Sequence, residues 1–370
     1  MTAKKTSAWP LAWVSSALIV YASLYPFDNW RNQGLFPWEF LTAPWPKYWT
    51  WFDVVTNIAG YVPLGFWLTL GAIRSGFRGP IVVLHIFLML MLSLAMEGLQ
   101  TYLPMRVPSL TDFLLNTLGG LLGTGLAAAG EKMGWLSRWS TFRSQWFSEE
   151  ASIPLVLILI WPFALLFPVS VPFGLGQIQE RLETAFGEWL RDTPFLEWLP
   201  FRDVELEPMV PLVELMCVAL GLIIPCLLLM AVTKSWRRRL ISNLVLIVMG
   251  VFVSALTSGL TFGPTHAWAW VDQATWIAIY MGFILAMLFI FAPSRTCWTF
   301  LFLFLMLQLF MLNQAPESVY LGQTLQNWEQ GRFIRFNGLA QWLGWLWPYA
   351  VLVITLVKLA IHSKQSSLST

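Results

Sequence analysis

Apolar runs long enough to cross a lipid bilayer recur along the whole chain, and nothing else in it restricts the fold as far. A hydrocarbon core of about 30 Å needs roughly 20 apolar residues in helical form. That core holds no water, so backbone N–H and C=O groups must find partners within the protein, and runs of this length find them as helices. Ten runs qualify, at about 9–26, 53–73, 81–103, 112–130, 153–170, 209–232, 240–262, 273–292, 297–313 and 341–361. The chain is 57% hydrophobic and only 11% charged, which fits. The expected fold class is therefore all-α: a polytopic membrane helix bundle of about ten transmembrane helices.

Charge placement sets the orientation. With the N-terminus and C-terminus cytoplasmic, the inner segments hold Lys4, Lys5, Arg74, Arg78, Lys132, Arg138, Arg143, Lys234, Arg237, Arg238, Arg239, Arg295, Lys358 and Lys364. These are 14 of the 22 basic residues, whereas the outer loop 171–208 carries eight acids and three Arg. The bias is the cytoplasmic excess of Lys and Arg expected of a membrane protein. The net charge of +2 thus reports topology, and no basic stripe points to nucleic acid. Cys217, Cys226 and Cys297 lie in or beside spans without CxxC pairing, so neither a disulfide nor a thiolate metal site is expected. Apolar residues at helical spacing within 176–199 and 131–148 suggest helices lying on the outer and inner membrane surfaces.

The two halves align at a nearly fixed offset. Asp53 corresponds to Glu214, Pro63 to Pro225, Ser93 to Ser254 and Asp112 to Asp272. Spans 1–4 and 5–8 enter the membrane in the same direction, which makes a degenerate parallel repeat of four-helix units. The expected division is 1–130 for the first unit, 131–152 for a cytoplasmic interfacial linker, 153–292 for the second unit with the outer loop 171–208, and 293–370 for two additional helices.

The first unit carries the polar chemistry. Asp53 and Asn57 share a face at the outer end of span two, Glu97 and Gln100 at the end of span three, Asp112 and Asn116 at the start of span four. Arg106 lies in the short loop between spans three and four. Polar side chains at membrane depth are costly and tend to mark function. Asp53 and Asp112 have a local explanation as helix-start acids. Glu97 does not, because it lies about 6 Å inside its helix end. It is the candidate catalytic residue, as a general base. Arg106, Asp53, Asn57, Gln100, Asp112 and Asn116 are the candidate substrate-binding residues. No metal spacing stands out, so no cofactor is expected, though oxygen ligands at Asp53, Glu97 or Asp112 suit a divalent cation. Gly119, Gly120 and Gly123 give span four a smooth face for close packing on span two, where Gly60 and Gly65 flank Pro63.

At these residues the chain resembles the VanZ-like family of bacterial membrane proteins. The matching text runs from Asp53-Val54-Val55-Thr56-Asn57 through Pro63-Leu64-Gly65, then Ser93, Glu97-Gly98-Leu99-Gln100, Arg106, Asp112 and Asn116-Thr117-Leu118-Gly119-Gly120. It covers about residues 15–130. The resemblance implies a domain of about four helices in the bacterial cytoplasmic (inner) membrane. It also implies a cell-envelope setting connected with teicoplanin-type glycopeptide antibiotic resistance or with exopolysaccharide. The function expected is an outer-leaflet site that binds or processes an anionic or glycan-bearing lipid or envelope precursor. A transporter or flippase, with Glu214 as an ion site, and a structural or assembly subunit with an envelope-enzyme partner are the alternatives.

Overall fold

The computed structural model describes residues 6, 8–25, 27, 29–45, 50–77, 80–167, 169–198, 206–316 and 334–368. The expectations at Lys4, Lys5, Arg78 and the 199–205 part of the acidic loop lie outside these residues, as does the side chain of Lys364. Among the described residues the regular secondary structure is all helical, apart from one isolated bridge between Phe147 and Thr233. The helices are α1 (Ala8–Leu24), α2 (Trp51–Arg74), α3 (Pro80–Gln100), α4 (Leu110–Lys132), α5 (Trp135–Trp146) and α6 (Ser152–Ala164). They continue with α7 (Gln179–Leu190), α8 (Pro211–Val232), α9 (Trp236–Phe262), α10 (Gln273–Phe289), α11 (Ser294–Leu312) and α12 (Ile334–Leu368).

Seven of these helices (α2, α3, α4, α8, α9, α11 and α12) are long and apolar enough to cross a membrane. The apolar helices α1 and α10 have 17 residues each, or about 25 Å. The chain is a polytopic helical membrane protein.

The fifth expected span needs correction. Its helix, α6, has 13 residues and reaches about 20 Å, short of a hydrocarbon core. Pro162 sits near its end, where a proline removes a helix hydrogen bond. The chain is then irregular over 165–167 and 169–178, yet Leu165, Val171, Phe173, Leu175 and Ile178 are all buried. Such backbone is tolerated at depth only where protein satisfies it. Asn313 does so on both sides: its Oδ1 accepts the N–H groups of Ile178 at 3.1 Å and Gln179 at 3.0 Å, and its Nδ2 donates to Gly176 O at 3.1 Å. Thr257 donates to Leu165 O and Tyr349 to Gly176 O. Residues 171–178 are therefore core rather than outer loop. The surface helix expected within 176–199 is α7, with Leu182, Phe186 and Trp189 exposed at helical spacing.

The chain divides into two compact units, Met1–Phe142 and Arg143–Thr370, and the boundary falls within α5. In the first, α2 makes its most extensive packing with α4. In the second, α8 is the buried centre, packed by α10 and α11, while α12 covers α6. Both units therefore pair the helix that carries the mid-span proline, Pro63 or Pro225, with the helix two further on. The helix starts differ: Asp112 occupies the third position of α4, behind the cap Ser109, whereas Asp272 is itself the cap of α10. Glu214, the ion-site candidate, is exposed in the first turn of α8.

Candidate functional site

The α2–α4 seam is built by glycine. A Cβ on Gly119 would stand 2.3 Å from Ile58 O, one on Gly123 2.0 Å from Val62 O, and one on Gly65 2.1 Å from Gly120 O. Only hydrogen fits at these points, so the two backbones touch. Helix α3 closes on the same seam through Met89, whose sulfur sits 3.0 Å from the Cβ position of Gly120.

Towards the end of the seam where α3 finishes and α4 begins, apolar packing gives way to a buried polar cluster. Asn116 on α4 donates its Nδ2 to Ser93 Oγ on α3 at 3.1 Å, and Ser93 is fully buried. Tyr61 on α2 brings its phenol beside Ser93 and within electrostatic reach of Glu97. The phenol is buried, and its hydroxyl has no hydrogen-bond partner of regular geometry.

Glu97 lies one turn beyond Ser93 and is 3% exposed. Its Oε2 accepts the backbone N–H of Ser109 at 2.9 Å. Ser109 caps α4, its side chain accepting from Thr111 N at 3.1 Å. The carboxylate therefore faces the N-terminal end of α4.

Gln100 and Arg106 serve the end of α1. Gln100 Nε2 donates to Ser23 O at 3.0 Å, and Arg106 Nη2 donates to Ala22 O at 3.1 Å and Tyr25 O at 2.6 Å. The final carbonyls of a helix have no partners within it, and a cation suits that negative end. Glu97, Arg106 and Asp112 each make further polar or electrostatic contacts as well.

The seven candidate residues have different surroundings. Glu97 and Asn116 join the buried cluster; Gln100 and Arg106 clasp α1. Asp112 sits in the first turn of α4, and Asn57 is half-buried one turn along α2 from Asp53. Asp53 is exposed and occupied locally: with Thr50 it forms a reciprocal capping box, Thr50 N donating to Asp53 Oδ2 at 3.1 Å and Asp53 N to Thr50 Oγ1 at 3.2 Å. The amide of Asn116, on the helix packed against α2, turns to Ser93 on α3. Among the described residues no three of His, Cys, Asp and Glu gather in a way that would hold a metal ion.

Tyr61 is the member that sequence reasoning missed. It lies one helical turn from Asn57 on the same face, and that spacing was the available signal.

Residues 4–130 match the family model described as VanZ/LLP1. The match falls within the first unit. No curated protein and no solved structure matches the chain significantly.

Proposed function

We propose that this VanZ-like domain holds the polar headgroup of an anionic or glycan-bearing lipid, or of a lipid-linked envelope precursor, at the outer face of the bacterial cytoplasmic membrane. The observation that carries this reading is the Tyr61 hydroxyl, buried without a regular partner beside Ser93 and Glu97. A ligand hydroxyl or phosphate oxygen gives that hydroxyl a well-aligned partner in addition to its neighbour Ser93. Arg106 places positive charge at the same end of the bundle, which sets its preference for anions. Glu97 accepts hydrogen bonds from glycan hydroxyls, and a general-base role for it would be exercised on the same bound headgroup.

The test is the lipid retained by protein taken from native membranes in polymer-bounded discs. Native mass spectrometry of the wild type should show one anionic or glycan-bearing lipid enriched several-fold over the bulk membrane. Tyr61→Phe and Glu97→Gln should lose that enrichment while still folding. A retained pool with the bulk composition in all three would end the proposal. The transporter alternative draws no support from Glu214, whose exposed first-turn position is that of a helix-start acid.

A further inference from the structure

Between α1 and α2 the chain crosses the outer end of the first unit as residues 29–45. The segment contains one short 3-10 turn, Glu39–Leu41, and no longer regular element. It is not loose. Gln33 Nε2 donates to Thr101 O at 2.7 Å, Arg31 N donates to Tyr102 O at 3.0 Å, and the Trp38 ring lies 3.1 Å from the Cβ position of Gly98. The segment is thereby pinned to the end of α3, next to the polar cluster. Yet it presents Leu35, Phe36, Leu41 and Trp45 outward, with Phe36 64% and Trp45 67% exposed. Within 29–45 the only charged side chains are Arg31 and Glu39.

We infer that residues 29–45 form a ledge that inserts into the outer-leaflet interface, at the boundary between headgroups and acyl chains. Two requirements fix that depth. Irregular backbone leaves N–H and C=O groups that need water, so it cannot enter the hydrocarbon core. A cluster of exposed large apolar side chains cannot stand in bulk water without cost. The interface alone meets both requirements, and tryptophan is the residue most at home there. The same exposure continues on the membrane helix α2 at Trp51 and Val55. The ledge holds the cluster around Glu97 at headgroup level. It stands independently of which headgroup binds.

The native cysteines are buried, so a single introduced cysteine takes a fluorescent label selectively. Phe36→Cys and, separately, Trp45→Cys carry an environment-sensitive label on the full chain in discs of pure lipid. Both positions are exposed, so folding tolerates the change. Emission should shift to the blue of the same label on the unfolded chain. Lipids brominated near the headgroup should quench it several-fold more than lipids brominated near the chain end. Water-like emission at both positions, quenched by aqueous iodide, would overturn the inference. So would a label shielded only in native membranes and not in pure lipid, because the cover would then be a protein.

Discussion

Glu97 on α3 accepts the backbone N–H of Ser109 at 2.9 Å, which ties the end of one membrane helix to the first turn of the next. Glu97→Gln keeps an oxygen for that N–H but loses the charge that faces the helix start, at a cost of about 0.5–1 kcal/mol. Glu97→Leu leaves the N–H unpaired and costs about 1–3 kcal/mol. Thermal unfolding in a single detergent should rank the wild type above Gln and Gln above Leu. Equal midpoints for the two variants would show that the contact contributes nothing.

Arg106 and Gln100 close the carbonyl end of α1. Removing either leaves helix-end carbonyls without donors. Arg106→Leu should therefore raise amide hydrogen exchange most in the last turn of α1 and in the segment after it, with little change in α4. Arg106→Lys restores the charge but not the fork, so exchange should fall between the two.

The glycine seam gives a paired test. A methyl on Gly123 meets Val62 O at 2.0 Å, and backbone on both sides must move; Gly123→Ala should cost about 1–3 kcal/mol. Gly125 lies two residues further on in the same helix and has open space at its Cβ position. Gly125→Ala should gain up to about 1 kcal/mol from helix propensity. Unfolding midpoints that move in the same direction for both would contradict the backbone contact.

Asn313 satisfies three backbone groups where the buried segment 165–178 runs into α7: the N–H groups of Ile178 and Gln179 and the C=O of Gly176. Asn313→Leu removes the acceptor of the two N–H groups, while Tyr349 still donates to Gly176 O, at a cost of about 2 kcal/mol or more. Limited proteolysis should then cut near residue 176 before it cuts elsewhere in the second unit.

Asp272 caps α10 by accepting Thr275 N at 2.7 Å. Hydrogen bonds from Thr275 hold its carboxyl below the ordinary range. A carboxyl depressed in the folded state stabilises above its unfolded pKa, near about 3.9, and the contribution is lost as pH falls through the folded value. Asp272→Asn keeps the cap without titrating. The wild type should exceed this variant in stability at neutral pH, and the gap should close below about pH 4.

Hydrophobic run length placed the membrane helices apart from the fifth span, because lipid leaves a chain few other backbone forms. Glycine spacing marked the α2–α4 seam, and Glu97 stood out as a carboxylate too deep to be a cap. The burial of 165–178 was not legible: its apolar residues suit a membrane span, and the side chain that holds the folded-in backbone is Asn313, the cap that follows α11 far along the chain. The alignment of Asp112 with Asp272 looked regular in sequence, yet one is a cap and the other follows a cap.

Local pattern therefore determined which stretches are helices, which faces can approach closely and which carboxylate is out of place, since each follows from hydropathy and side-chain size near one residue. Tertiary structure alone decided that Tyr61 enters the cluster, that Asn116 turns to Ser93, that Arg106 serves α1 and that Asp53 stays outside. Those outcomes depend on which neighbour reaches a given donor or acceptor first, and no spacing along one chain encodes that.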